Sequence, residues 1–275
     1  MTRAIEHSGA NAAAANSSPL LVATHLGKTY AEPGERLTAV IGDISFSMAP
    51  GEIVSIVGPS GCGKTTLLNL LCGLIPLSRG TVSWRGHPLH GMPERVGYML
   101  QKDLLLPWRT ALRNVTLGLE LKPGAELERN ERAHSILDKV GLASFHDYYP
   151  SGLSGGMRQR VALARTLATD PEVLLLDEPF AALDFQTKLV LESDMAQLVC
   201  GEGRSLLMIT HDVEEAVSLS DRVVVLSHRP SRVKAMHRIE RGTERTDMIA
   251  ARESSVFMDY VRTIWSELEV RAGDP

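Results

Sequence analysis

The fold is decided by one stretch, Gly58-Pro59-Ser60-Gly61-Cys62-Gly63-Lys64-Thr65, which fits the pattern G-x4-G-K-[ST]. Glu52 to Val57 before it reads as a buried strand and Leu67 to Leu71 after it as a helix, the setting this pattern needs. Glycines let the backbone wrap closely, so successive N–H groups and the positive end of the following helix meet phosphate oxygens. Lys64 is expected to neutralise the β- and γ-phosphates and Thr65 to offer its hydroxyl to Mg²⁺, with Thr66 completing the lining of the nucleotide. A glycine turn beside a surface lysine is the alternative. By chance the pattern arises in roughly one chain of this size in a hundred, and its strand and helix flanks cut that further. Kinases, GTPases and transport ATPases share such a loop, so it names a ligand and not yet a function.

Outward from the loop, short apolar runs punctuated by Gly and Pro predict strands at Leu20 to Ala23, Val40 to Met48, Thr81 to Trp84 and Val96 to Leu100. Between Thr110 and Ala168 the spacing turns helical, with Leu112, Val115, Leu119 and later Ile136, Leu137 and Val140 falling on one face. Strands then return at Val173 to Leu176, Ser205 to Ile209 and Arg222 to Leu226, with a helix over Leu183 to Val199 between the first two. Alternation of this kind predicts an α/β fold with a parallel sheet covered on both faces. A hairpin is expected over Arg232 to Ile239 and an amphipathic helix over Ser255 to Glu269. Residues 1–19, rich in Ala, Asn and Ser, read as a disordered tail.

Composition excludes several classes. At 44% hydrophobic and 23% charged, the 275 residues belong to a water-soluble globular chain, not to collagen, a coiled coil or bulk disorder. A net charge of −4 has the wrong sign for a chain whose main affinity is for phosphate backbone, so no nucleic-acid partner is expected. Cys62, Cys72 and Cys200 form no CxxC pair and no disulfide scaffold, which favours a reducing cytosol. The most apolar run, Leu67 to Leu77, is broken by Asn69, Gly73 and Pro76, far short of the roughly 18 to 20 residues a membrane helix needs.

Two adjacent acids end the strand Val173 to Leu176. Asp177, beside the phosphate loop, can join the Mg²⁺ shell, and Glu178 can polarise the water that attacks the γ-phosphate. An isolated Asp-Glu would merely close a core strand in a solvated turn; paired with the upstream loop it gains a second meaning.

Leu153-Ser154-Gly155-Gly156-Met157-Arg158-Gln159-Arg160 resembles the signature of ATP-binding cassette proteins. Ser154 as an N-cap followed by Gly155 and Gly156 would open a helix whose free N–H groups make a second anion site without a lysine. The resemblance runs in order from about Leu20 to Leu226 and includes Tyr30, Gln101, Asp184 and His211. It implies a P-loop NTPase core with a parallel sheet, an N-terminal antiparallel β subdomain and an inserted helical subdomain. The domain would cover residues 20–240, with the insert at about 103–165 and a C-terminal helical extension at 241–275. By the same resemblance Tyr30 would stack on adenine, Gln101 would contact Mg²⁺ or the attacking water, His211 would hydrogen-bond the γ-phosphate, and Asp184 would lie at a dimer seam. Two copies would pair head to tail, each signature helix covering ATP on the other's phosphate loop.

Gln101-Lys102-Asp103-Leu104-Leu105-Leu106-Pro107-Trp108-Arg109-Thr110, then Asn114-Val115, together with Met157 and Pro179-Phe180, resembles the nitrate, sulfonate and taurine importer branch. Ala181 departs from it, standing where serine or glycine is common. The branch implies an ATPase at the cytoplasmic face of the cell membrane, working with integral-membrane permease subunits and, through them, a periplasmic or lipid-anchored solute-binding protein. Leu104 to Trp108 would then be an exposed apolar patch receiving a short helix of the permease; a buried Trp108 filling a small core is the alternative. A small-molecule kinase, an exporter-type cassette and a non-transport ATPase remain competing readings, and the cargo is not written in this chain.

Overall fold

In the computed structural model, residues 18–31, 37–181, 183–240 and 248–268 are described. The expected tail lies outside them except for its last two residues, as does Glu269 of the expected closing helix. Strands β1 (Leu21–Ala31) and β2 (Leu37–Met48) pair antiparallel, and β3 (Ile53–Val57) leads through the glycine-rich loop into α1 (Lys64–Leu71). β4 (Arg79–Trp84) and β5 (His87–Pro88) follow, then β6 (Val96–Met99) and a helical stretch holding α2 (Ala111–Val115), α3 (Glu126–Lys139) and α4 (Gly155–Ala168). The remainder is β7 (Val173–Asp177), α5 (Phe185–Gly201), β8 (Ser205–Thr210), α6 (Val213–Leu219), β9 (Arg222–Leu226), β10 (Ser231–Arg238), α7 (Met248–Glu253) and α8 (Ser255–Leu268).

Ten strands join in the order β5-β4-β1-β2-β10-β9-β3-β8-β7-β6. β9, β3, β8, β7 and β6 are mutually parallel, and β5, β4, β1 and β2 are antiparallel. Every residue of β3, β7 and β8 is buried, as expected of strands covered on both faces. One side of the core is filled by α1 against β1, β2 and β4; the other by α2 to α5 against β6, β7 and β8. α8 closes a third cluster through Phe257, Val261 and Ile264, spaced i, i+4, i+7. No helix among the described residues is long and apolar enough to cross a membrane.

Three expectations are corrected. The hairpin over Arg232 to Ile239 is instead a single strand, β10, antiparallel to β9 in the register Val233↔Leu226 to Arg238↔Arg222. Its turn falls earlier, where His228-Arg229-Pro230 supplies the turn chemistry, and burial alternates along β10 with no interruption. β1 runs well past Ala23: register shifts between Ala23 and Thr29, and a positive φ at His25, break the two-residue alternation that would have shown its second half. The helix expected from Leu183 begins at Phe185, because the Asp184 carboxylate caps it by accepting from Thr187 N at 3.0 Å.

Candidate active site

Parallel pairing brings the carboxyl ends of β3, β6, β7 and β8 to one edge of the sheet. Val57 lies opposite Thr210, Asp177 opposite Ile209 and Met99 opposite Leu176. The residues that follow these strands therefore meet: the loop 58–65, Gln101, Glu178 and His211. Ligands of open α/β sheets bind at this kind of edge.

In the loop, Gly61 takes φ +76° and Gly63 φ +108°, conformations an L side chain rarely adopts. Lys64 is buried, and its Nζ donates to Gly58 O at 2.8 Å and Pro59 O at 3.3 Å, so the ammonium lies inside the curl of the loop. Burial pushes the Cys62 thiol up, against the pull of Lys64. Asp177 is 3% exposed; burial raises its pKa, the Thr65 hydroxyl hydrogen-bonded to it opposes, and the Glu178 charge adds to the rise. A hydroxyl and a carboxylate already in contact form a pair of hard oxygen donors, which fits Mg²⁺.

Glu178 sits at φ +48°, its N–H held by Ile209 O at 2.8 Å. That turn aims the carboxylate across the edge, where Oε2 accepts from Gln101 Nε2 at 2.9 Å and lies 3.3 Å from His211 Nδ1. One carboxylate oxygen thus meets the side chains that follow two other strands. Strained backbone at such a residue persists only where neighbours fix it, and here they do.

Tyr30 is partly exposed near the end of β1, opposite Thr38 of β2, with Lys28 Nζ 5.0 Å from its ring centre. Two residues along β2, Val40 lies against Gly63, which puts the tyrosine on the rim beside the phosphate loop. Ser154 caps α4, its hydroxyl accepting from Met157 N at 3.3 Å. Gly155 opens that helix, and a Cβ at Gly156 would come within 2.8 Å of Thr187 Cγ2. Ser154, Gly155, Gly156 and Asp184 therefore gather around the starts of α4 and α5, apart from the group formed by Lys64, Thr65, Gln101, Asp177, Glu178 and His211. Gln159 bridges the two groups by donating to Pro179 O at 2.8 Å.

Trp108 is 71% exposed and Leu104 53% exposed, whereas Leu105 turns into the core. The patch is thus narrower than the run Leu104 to Trp108, and the alternative of a buried Trp108 falls.

Two sets of bracing side chains are absent from the sequence reading. Arg158 pairs with Asp103 at 3.0 Å, and Arg165 donates to Asp103 O at 2.6 Å and Leu104 O at 2.8 Å, so α4 grips the segment after Gln101. Their spacing of seven on one helix was the available signal. Behind His211, Lys188 of α5 meets Asp212 and Glu215. A lysine four residues after Asp184 carries no signal in itself.

A glycine-rich phosphate loop opening a helix, with acids at the end of a strand two places along the same parallel sheet, defines a nucleotide-hydrolysing P-loop class. The family profile described as ABC transporter matches residues 41–181. An uncharacterized ABC transporter ATP-binding protein of Methanocaldococcus jannaschii is 44% identical over 247 residues, 89% of this chain and 90% of that protein. Taurine import ATP-binding protein TauB of Escherichia coli K12 is 42% identical over 214 residues, 78% and 82% of the two. Among solved structures, the dimeric ABC transporter cassette MJ0796 superposes with a TM-score of 0.73 at 30% identity, over 80% of this chain and 99% of that one. A post-hydrolysis dimer of the same cassette, bound to ADP and Pi, gives 0.72. The chain belongs to the ABC transporter family and has the cassette ATPase fold. It is an ATPase that uses ATP with Mg²⁺.

Proposed function

We propose that this chain energises a membrane importer for a small anion such as nitrate, a sulfonate or taurine, seated peripherally on the cytoplasmic face against integral-membrane permease subunits. A solute-binding protein outside the membrane would deliver the cargo to the permease. The importer branch is supported by the TauB likeness and by the exposed Leu104 and Trp108 just after Gln101. An exposed indole beside a nucleotide-sensing glutamine suits a short amphipathic helix.

The single observation that carries the chemistry is Glu178 Oε2 placed between Gln101 and His211. In this reading Lys64 leaves its backbone carbonyls for the β- and γ-phosphates, while Thr65, Asp177 and Gln101 hold Mg²⁺, which supplies charge screening on the phosphates when bound. Tyr30 stacks on the adenine. Glu178 orients the attacking water and takes up its proton, and His211 donates to the γ-phosphate. Ser154 to Gly156 of a second copy meet the same phosphate, with Asp184 at the seam, so nucleotide joins two chains and hydrolysis releases them.

Glu178→Gln tests the assignment. It keeps the shape and the contact to Gln101 but cannot accept a proton, so MgATP turnover should fall by about 10²-fold or more while ATP binding persists and a dimer accumulates on gel filtration. Turnover at the wild-type rate would falsify the role of Glu178. Isolation of the complex from membranes, with transport of candidate anions in vesicles, tests the importer assignment separately.

A further inference from the structure

We propose that Lys188 is a positioning residue for hydrolysis, fixing His211 at the reacting phosphate by clamping its neighbour Asp212 to the first turn of α5. The inference rests on the reading of His211 given above and adds a residue to it.

Asp212 is held from two directions. Its Oδ1 caps α6, accepting from Glu214 N at 2.9 Å and Glu215 N at 3.2 Å, and its own N–H donates to Thr210 Oγ1 at 3.0 Å. Its Oδ2 accepts from Lys188 Nζ, which also lies 3.0 Å from Glu215 Oε2. A carboxylate tied by both oxygens cannot rotate, so the backbone at 211–212 has one orientation, the one that places His211 beside Glu178. Lys188 in turn is seated by its N–H on Asp184 O at 2.9 Å. A single helical turn thus joins Asp184 to the histidine.

The clamp is withdrawn from solvent on its Lys188 and Glu215 side, while the Asp212 side chain is 37% exposed. The Lys188 side chain is 14% exposed and that of Glu215 3%. Burial works against the ammonium, yet the facing Glu215 and Asp212 carboxylates outweigh it and hold its pKa above the ordinary lysine value. Glu192, one turn further along α5, takes its cation from Arg252 of α7 at 2.8 Å. Glu215 Oε1 and Glu192 Oε1 have no hydrogen-bond partner among the described residues, so little else is placed to compensate for a lost lysine. Without it, Asp212 Oδ2 loses its tie to α5 and Glu215 is left a buried acid with no facing cation, so Asp212 would turn away and carry His211 with it.

The test uses the full-length chain as wild type, Lys188→Met, Lys188→Arg, the double variant Lys188→Met/Glu215→Gln, and His211→Ala. Lys188→Met should lower kcat for MgATP about ten-fold or more, because small displacements of a catalytic group are costly, with KM changed by less than about two-fold. Lys188→Arg should recover most of the loss. The double variant replaces the uncompensated buried acid by a neutral amide, so its melting temperature should return toward wild type while kcat stays low. A wild-type kcat in Lys188→Met would overturn the proposal, as would recovery of kcat together with melting temperature in the double variant, since only folding would then have depended on the lysine. His211→Ala separates the two readings. Wild-type turnover in that variant overturns the reading of the histidine itself, whereas its inactivity beside a fully active Lys188→Met overturns the role of the lysine alone.

Discussion

Gly63 combines a backbone that disfavours a side chain with a space that has no room for one. At φ +108° an added Cβ would lie 2.7 Å from Val40 Cγ1 and 3.1 Å from Ile41 Cδ1, both on buried residues of β2. Gly63→Ala should therefore cost about 1–3 kcal/mol and displace the Lys64 amide, which belongs to the proposed phosphate cradle. Thermal melting and an ATP titration check this; unchanged affinity would mean that the cradle tolerates the shift. At this scale the site was legible where a residue's chemistry is unusual for its setting. Glycines before a lysine, and two acids ending an apolar strand, are costly unless used. Lys188 was illegible because its meaning comes from Asp212 and Glu215, which only the sheet brings to it.

Among the elements, α4 has a second task besides opening at Ser154. Leu104 sits at φ +45°, a strained turn for a leucine, and Arg165 holds it through hydrogen bonds to the carbonyls of Asp103 and Leu104. Burial draws the Arg165 pKa down and the Asp103 charge opposes it. Arg165→Met keeps the stem and removes both donors. It should cost about 1.5–3 kcal/mol, the range for hydrogen bonds to a charged group, and open the segment 103–106 to proteolysis. A variant with wild-type melting and cleavage pattern would show that the turn stands without α4. Elements were readable from period and burial where strands are central, as with β3, β7 and β8, and misread where geometry departs from period. The bulged half of β1 hides its alternation, and the β9–β10 hairpin was displaced because its turn lies before the segment that looked like one.

For the whole molecule, stability against pH gathers these local charges into one measurable quantity. Burial raises the pKa of Glu215 from 4.5 to about 7, against the pull of Lys188 and with further upward push from Glu192 and Asp212. The groups facing it are Lys188 and Glu192 on α5 and Asp212 at the cap of its own helix, with Arg252 of α7 behind Glu192. A carboxyl whose folded pKa lies above its unfolded one binds more protons folded than unfolded. Its contribution is therefore complete below pH 4.5 and lost as pH rises through 7, by an amount on the order of 3 kcal/mol. Asp177, Glu192 and Asp194 share that sign, and Glu120, Asp170, Asp184, Glu202 and Asp212, all held below the usual carboxylate range, oppose it. The wild-type curve mixes both sets, but its difference from Glu215→Gln isolates one residue. At pH 5 the native side chain is protonated and resembles glutamine, so the two proteins should melt nearly together. At pH 8 the wild type holds a buried carboxylate that the variant lacks, and the variant should gain several degrees over it. A difference that stays flat from pH 5 to 8, or runs the other way, would mean that Lys188 fully compensates the burial of Glu215.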